Sequence, residues 1–177
     1  MINALFWNIR GVAKAPNLRR LIRLVRIHDV QLVVICEPKM EVSKIDTIRL
    51  RLSFDCVLFN MSADLWVFYK SPVVCSLVGS SDQHITIDVH HPLLPTAMVC
   101  SWVHARCSLE ACKDLWRDLL VDRPNQRPWC VGGDFNVIVS PDEKRGGRPF
   151  VPAEGLELMA FMEEAEVFNA GFSGPSF

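Results

Sequence analysis

Apolar residues form three predicted elements in the first forty positions. The run from residue 2 to residue 7 is almost wholly apolar and stops at Asn8, which predicts a strand that ends in a loop. Apolar side chains then recur at helical spacing, so a helix is predicted from about residue 16 to residue 28. The continuous apolar run that follows residue 30 ends at Glu37 and predicts a strand covered on both faces.

The predicted first helix carries basic side chains away from its apolar face. Its apolar positions are Leu18, Leu21, Ile22 and Val25. Arg19, Arg23 and Arg26 fall on the other side. A solvated helix surface is the simpler interpretation of these arginines, and a phosphate-binding stripe is the alternative.

The middle of the chain reads as a short helix followed by a series of strands. The helix is predicted over residues 43–52. Strand-like runs follow at about 55–59, 65–70, 73–78, 84–90 and 97–104. Short connections such as Ser71-Pro72 suit antiparallel hairpins, so this section is predicted to be a meander.

Two helices and one strand are predicted in the C-terminal third. Ser108 is a suitable N-cap for a helix with the apolar stripe Leu109, Cys112, Trp116, Leu119 and Leu120. Residues 129–131 then predict a buried strand that runs into Gly132 and Gly133, where the backbone can pass close to a neighbour. A last helix over about residues 152–167 is predicted to place five side chains inward: Leu158, Phe161, Met162, Ala165 and Phe168.

Composition favours one globular domain over residues 1–177, since half of the 177 residues are hydrophobic. The formal net charge of −1 provides no overall attraction for a polyanion, so nucleic acid would have to contact a local patch. Nothing in the sequence indicates an oligomeric state. The N-terminal apolar run is too short for a signal peptide, and no run is long enough to span a bilayer. We therefore expect a soluble protein with no membrane partner.

The seven cysteines do not form a disulfide or zinc pattern, because their number is odd and no CxxC pair occurs. Five of them lie inside apolar runs and are predicted to be buried, reduced thiols: Cys36, Cys56, Cys75, Cys100 and Cys130. This usage favours a reducing intracellular compartment, either the nucleus or the cytoplasm.

Polar side chains stand at three predicted strand ends: Asn8, Glu37, and the pair Asp134 and Asn136. In an extended segment two residues separated by one position share a side, so Asp134 and Asn136 can reach into the same space. Carboxylate and amide oxygens are the ligands that Mg²⁺ prefers. The pattern therefore predicts a magnesium-centred hydrolytic site, with Mn²⁺ as an alternative cation.

The order of these motifs resembles the endonuclease/exonuclease/phosphatase superfamily. The resemblance rests on three segments: Trp7-Asn8-Ile9-Arg10-Gly11, Val34-Ile35-Cys36-Glu37-Pro38-Lys39 and Gly133-Asp134-Phe135-Asn136. Within it, the chain is most similar to the apurinic-type endonuclease domain of LINE-type non-LTR retrotransposons of plants. That closer likeness rests on residues 115–120, 143–147 and 171–174, so the resemblance spans essentially the whole chain.

The resemblance implies an α/β fold, a four-layer sandwich of two facing mixed sheets with helices outside. It implies that Glu37 ligates the divalent metal with Asn8 beside it. Asp134 would orient or deprotonate the attacking water, and Asn136 would hold a phosphate oxygen. His104 stands where relatives usually carry a tyrosine; an imidazole there suits a phosphate contact, while a core or surface histidine is the simpler interpretation.

Other departures concern the end of the chain. The family's last strands carry a further aspartate and an Asp-His pair, and this sequence ends at Phe177 without them. We therefore expect a fold that is incomplete at its C-terminus, with its last strands missing and an exposed strand edge. The segment from residue 61 to residue 64 also looks shortened.

Three hypotheses follow from this pattern. The first is a Mg²⁺-dependent DNA endonuclease whose basic residues touch the phosphate backbone without reading sequence: Arg10, Lys14, Lys144, Arg145 and Arg148. The second is a catalytically inactive remnant of the fold, because loss of one member of a catalytic set costs several orders of magnitude. The third keeps the chemistry and changes the substrate to a phosphoinositide, a sphingolipid or RNA.

Overall fold

The computed structural model describes residues 2–143, 146–147, 149 and 151–174. The chain divides into two compact units, Met1–Asn136 and Val137–Phe177. The first unit contains both sheets and the whole candidate site. Organisation as one domain over residues 1–177 stays a prediction.

The first sheet has the strand order β1-β2-β4-β3. Its strands are β1 (Ala4–Asn8), β2 (Leu32–Cys36), β3 (Cys56–Phe59) and β4 (Leu65–Tyr69). The pair β1 and β2 is parallel, and β4 runs antiparallel to both of its neighbours. Two helices accompany this sheet, α1 (Ala15–Ile27) and α2 (Ile45–Leu52), the second preceded by a 3₁₀ turn at Val42–Lys44.

The second sheet has the order β5-β6-β7-β8. Its strands are β5 (Val74–Ser80), β6 (His84–His90), β7 (Met98–His104) and β8 (Trp129–Asp134). Strands β5, β6 and β7 form an antiparallel meander, whereas β7 and β8 are parallel. A crossover helix, α3 (Leu109–Asp122), joins that parallel pair, and the Ser108 hydroxyl caps it by accepting the Ala111 N–H at 3.3 Å.

Two apolar layers hold this unit together. One contains α1 and α2 side chains such as Leu21 and Ile48 packed with Ile35 of β2 and Phe68 of β4. The other contains the opposite side chains of β2 and β4 with those of β6 and β7, and therefore lies between the two sheets. Because alternate residues of β2 point into different layers, all five of its residues are buried. The predicted four-layer sandwich is confirmed.

Helix α3 forms the fourth layer against the second sheet. Its residues Cys112, Leu115, Trp116 and Leu119 are buried, so the predicted apolar stripe is confirmed at three of its positions and gains Leu115. Asp122 accepts a hydrogen bond from the buried His84 ring of β6 at 2.9 Å. This contact fixes the end of α3 on the sheet.

The structure corrects two predictions about the sheets. The Ser71-Pro72 connection is not a hairpin, because it joins β4 of the first sheet to β5 of the second. Strand β8 is only partly buried, because β7 is its one neighbour among the described strands. A short connection in the sequence therefore did not distinguish a hairpin from a change of sheet.

The cysteine prediction is also corrected in part. All seven are free thiols, and Cys36, Cys75 and Cys100 are buried as predicted. Cys56 and Cys130 are exposed, because each lies in a strand that borders its sheet in the described part of the chain. An apolar run indicates a strand but not which of its faces is covered.

The second unit, as far as it is described, contains 3₁₀ turns at Pro141–Glu143 and Pro152–Gly155 and helix α4 (Leu156–Glu164). Leu158, Phe161 and Ala165 are buried, as the sequence predicts. Phe168 was predicted to point inward and is 85% exposed, because the helix ends before it. Among the described residues, no helix is long and apolar enough to cross a membrane.

Asn60 links the two sheets and carries a prediction about stability. It is 1% exposed, its side-chain amide donates to the carbonyls of Ser81 and Asp82 at 3.1 Å each, and its Oδ1 accepts the Leu65 N–H at 2.9 Å. We expect Asn60→Ala to lower the free energy of unfolding by about 2–4 kcal/mol, since each unpaired buried polar group costs about 1–3 kcal/mol.

Urea denaturation of the purified chain measures this effect. The control is Asn125→Ala, an exposed asparagine for which a change within about 0.5 kcal/mol is expected. Equal stability of the two variants would contradict the proposed role of Asn60 as a link between the sheets.

Candidate functional site

The candidate site lies where the C-terminal ends of four strands meet. Asn8 ends β1, Glu37 directly follows β2, His104 ends β7 and Asp134 ends β8. Each sheet contributes one parallel pair, in which Asn8 is opposite Cys36 and His104 is opposite Asp134. Since parallel strands end at the same edge, each pair brings its two polar side chains to that edge.

Asn8 joins the two sheets at this edge. Its side-chain Nδ2 donates to Glu37 Oε1 at 3.0 Å and to Asp134 Oδ2 at 2.8 Å. One amide nitrogen therefore holds two carboxylates that are far apart in the sequence. The other end of the amide, Oδ1, is buried and has no hydrogen-bond partner among the described residues.

Glu37 is held by its backbone in a conformation that exposes its carboxylate to the site. Its φ angle is +50°, its N–H donates to the Asp64 carbonyl at 3.0 Å, and its carbonyl accepts the Gly11 N–H at 2.8 Å. The Lys39 ammonium lies 3.0 Å from Oε2. Hydrogen bonds from Lys39 and from Asn8 lower the pKa of Glu37 below its usual range, so this side chain is an anion at neutral pH.

Asp134 has both carboxylate oxygens occupied by donors. In addition to the Asn8 contact, its Oδ1 accepts the backbone N–H of Asn136 at 3.2 Å. The preceding Gly133 has φ +143°, and a Cβ built on it would lie 2.1 Å from the Val103 carbonyl oxygen of β7. Only glycine lets β8 approach β7 this closely, and this approach sets the position of Asp134.

His104 and Arg10 lie beside Glu37. The His104 Nε2 is 3.8 Å from Glu37 Oε1, and the His104 side chain is mostly buried. The Arg10 Nε is 4.0 Å from the same oxygen, but its side chain is 73% exposed. His104 therefore lies beside the Glu37 carboxylate, and a contact of its ring with phosphate stays a prediction.

Asn136 lies at the margin of the site, and it does not share one side of an extended segment with Asp134 as the sequence predicted. Strand β8 ends at Asp134, and Asn136 has φ +50°, so the two residues are not on one extended segment. The Asn136 side-chain Nδ2 donates to the Ala105 carbonyl at 2.7 Å. Asn136 therefore tethers the loop after β7, and one of its amide protons is occupied.

The five basic residues that were predicted to contact the phosphate backbone lie in different parts of the chain. Arg10 lies at the site, and Lys14 directly precedes α1. Lys144, Arg145 and Arg148 lie outside the described residues. Lys39 contacts Glu37 directly. In the sequence it is the last residue of the motif segment that contains Glu37, but no role was predicted for it.

A divalent cation at this edge would need oxygen ligands from the side chains that meet there. In residues 2–143 and the described part beyond them, no three His, Cys, Asp or Glu side chains form a metal-binding group. Two carboxylates nevertheless share the Asn8 nitrogen, and the buried Asn8 oxygen has no partner. A buried acceptor without a donor is costly, and oxygen ligands of this type suit a hard cation. The unpaired Asn8 oxygen supports a cation at this edge, and ligation by Asn8 and Glu37 stays a prediction.

Cys36 lies directly beneath the site and is not suited to nucleophilic catalysis. Burial, followed by the charges of Asp134 and Glu37, raises the pKa of its thiol to about 12. The thiol is therefore protonated at neutral pH, and the reactive form of cysteine is the thiolate. The candidate reactive groups at this edge are therefore the oxygen and nitrogen side chains, not the Cys36 thiol.

Comparisons with known proteins identify the family and the fold. The sequence matches the profile of the Endonuclease/Exonuclease/phosphatase family over residues 5–173. No curated protein sequence matches it significantly. Among solved structures, the endonuclease domain of TRAS1, a telomere-specific non-LTR retrotransposon, aligns with TM-score 0.66 at 10% identity, covering 92% of this chain and 71% of that one.

Two further structures share the fold. An AP endonuclease from Archaeoglobus fulgidus aligns with TM-score 0.57 at 16% identity, covering 82% of this chain and 62% of that one. The mannosyl-6-phosphatase Bt3783 of Bacteroides thetaiotaomicron aligns with TM-score 0.52 at 12% identity, covering 77% and 66%. At these identities the likeness establishes the fold and leaves the substrate open.

Proposed function

Because the chain belongs to the endonuclease/exonuclease/phosphatase family, we propose that it is a Mg²⁺-dependent phosphodiester hydrolase that cleaves DNA. The observation that carries this proposal is the double hydrogen bond of Asn8 to Glu37 and Asp134, which gathers an acid pair at one edge. The family match supports phosphoester hydrolysis, and the similarity to two nuclease folds favours nucleic acid as the substrate.

In this proposal Glu37 and Asn8 would hold the cation, which would supply Lewis-acid stabilisation of the phosphoryl and leaving oxygens. Asp134 accepts a proton from the attacking water, and the water oxygen forms the new bond to phosphorus as the opposite P–O bond breaks. The two donors on Asp134 keep its carboxylate in one orientation. No covalent intermediate with the chain is required.

Two further side chains act on the phosphate. His104, next to Glu37, donates a hydrogen bond to a nonbridging oxygen. Asn136 has a second amide proton besides the one bound to Ala105, and this proton stabilises charge that builds on the phosphate in the transition state. Arg10, largely exposed beside Glu37, meets the neighbouring phosphate of the strand.

Substrate assays with the purified chain test the proposal. Supercoiled plasmid, a duplex with one abasic site and a phosphoinositide are incubated in parallel with Mg²⁺, with Mn²⁺ and with EDTA. We expect nicking of DNA that requires the divalent cation. Hydrolysis of the phosphoinositide but not of DNA would show that the substrate is a lipid. Equal cleavage of DNA in EDTA and in Mg²⁺ would show that the reaction needs no divalent cation.

An inactive form of the fold is a second candidate, and one contact favours it. The Lys39 ammonium already occupies Glu37 Oε2 at 3.0 Å, so this ion pair competes with a cation for the same carboxylate. In this candidate the wild-type chain does not cleave DNA although Asp134 is intact, and Mg²⁺ raises its thermal stability only weakly. Lys39→Ala would then increase the Mg²⁺-dependent stabilisation, because the carboxylate becomes free for the ion.

A further inference from the structure

Helix α1 carries a narrow row of arginines outside the candidate site. Arg19, Arg23 and Arg26 are all exposed. At 100° per residue they fall within about 60° of arc, and they extend about 10 Å along the helix. We call these three residues the α1 stripe.

The sequence around the α1 stripe is rich in basic residues. The first 28 residues contain six basic side chains and no Asp or Glu, in a chain whose net charge is −1: Arg10, Lys14, Arg19, Arg20, Arg23 and Arg26. In the part of the chain that the structure describes, none of the three arginines of the α1 stripe forms an ion pair. A solvated helix face normally mixes both signs, but α1 itself contains no Asp or Glu. The first carboxylate after the helix, Asp29, lies 3.7 Å from the Lys70 ammonium.

Two contacts fix the α1 stripe relative to the candidate site. The Asn17 side chain donates to the carbonyls of Ile9 and Gly11 at 2.8 and 3.0 Å, which ties the first turn of α1 to the loop after Asn8. Arg20 lies over the Trp7 ring at 5.6 Å, next to Asn8 in β1. The orientation of the stripe is therefore coupled to the strand that carries the site.

We propose that the α1 stripe is a second docking surface for duplex DNA, which binds the phosphate backbone away from the bond that is cut. This inference rests on the proposed function, because the proposed function identifies the polyanion as DNA. The occupant follows from charge complementarity, because guanidinium groups pair with phosphate oxygens through two parallel hydrogen bonds. Such contacts position the duplex and do not read its sequence.

Salt-dependent DNA binding tests the α1 stripe. Fluorescence anisotropy with a labelled duplex is measured in EDTA, so that no cleavage takes part. For R19Q/R23Q/R26Q we expect binding at least about tenfold weaker at low salt. The slope of log affinity against log salt should fall by roughly 2 to 3, since each phosphate contact contributes about 0.9.

A charge-matched control shows whether the effect depends on the α1 stripe or only on the loss of three positive charges. K113Q/R117Q/R123Q removes three exposed basic side chains from α3 and its C-terminal cap, in the opposite outer layer. Glutamine is a good helix former, so both variants should keep the wild-type melting temperature. The control should bind DNA within about twofold of wild type, with an unchanged salt slope.

The outcomes distinguish this inference from the proposed function. Equal affinity of the stripe variant and wild type would overturn the docking surface and leave the hydrolase proposal intact. Weaker DNA binding by the stripe variant, in a chain that cleaves nothing, would support the surface and contradict the hydrolase. Loss of binding to phosphatidylserine vesicles with unchanged DNA binding would assign the stripe to a membrane and overturn the inference.

Discussion

Replacing Asp134 with Asn is expected to lower the rate of metal-dependent DNA cleavage by about 10²–10⁴-fold. The substitution keeps the shape of the side chain and removes the group that takes the proton. Initial nicking rates at saturating Mg²⁺ measure the effect. A rate within threefold of wild type, roughly 0.7 kcal/mol, would exclude Asp134 as the proton acceptor.

The same substitution also disturbs the hydrogen bonds of the site. Asp134 accepts from Asn8 Nδ2 and from the Asn136 backbone N–H, whereas an asparagine offers one acceptor and one donor end. One of the two donors would face an NH₂ group, so we expect a loss of stability of about 1–3 kcal/mol. Melting curves must therefore confirm that the variant is folded at the assay temperature.

Asp88→Asn is the matched control for this experiment. Asp88 lies in β6, is half-buried and pairs with Arg127 at 2.7 Å, so its neutralisation also removes a hydrogen-bonded carboxylate. It is not among the side chains that meet at the candidate site. We expect Asp88→Asn to keep the wild-type nicking rate after correction for the folded fraction.

The sequence predicts most of the candidate site because strand ends are visible in it. Asn8, Glu37 and Asp134 each follow an apolar run, and the ends of parallel strands share an edge. The contact between Lys39 and Glu37 could not be predicted, since it depends on the positive φ angle of both residues. The left-handed conformation of Asn136 was missed for the same reason.

The sequence predicted the individual helices and strands better than it predicted the order of the strands in the sheets. Apolar periodicity located α1 and the fully buried β2, because local burial determines that pattern. The position of β4 between β2 and β3, and the passage from β4 to the second sheet, depend on contacts between distant residues. Exposure of Cys130 follows from the place of β8 in the sheet, which no local pattern contains.

Gly133→Ala is expected to have the largest effect on stability, with a loss of about 4 kcal/mol. The φ angle of +143° is strained for any residue with a Cβ, and the added atom would lie 2.1 Å from the Val103 carbonyl oxygen. Backbone strain of this kind costs about 1–3 kcal/mol, and overpacking costs about 1–3 kcal/mol more. Calorimetry should show the melting temperature falling by about 10 °C.

For the neighbouring substitution Gly132→Ala we expect no loss of stability, although the position is only one residue away. Its new Cβ would meet only the Trp102 side chain, at 3.5 Å, which is ordinary van der Waals contact. Alanine also restricts the unfolded chain, which stabilises the fold by about 0.4–1 kcal/mol where no strain arises. Gly132→Ala should therefore be neutral or slightly stabilising.

Comparing the two variants distinguishes two explanations for glycine in β8. Either glycine is needed only where β8 approaches β7 closely, or it is needed throughout this part of the strand. If Gly133→Ala pushes β8 away from β7, Asp134 also moves away from Asn8, because it is the next residue along the strand. The folded fraction of that variant should then cleave DNA more slowly than wild type. Equal stability of Gly132→Ala and Gly133→Ala would mean that β8 does not need this approach, and the position of Asp134 would require another cause.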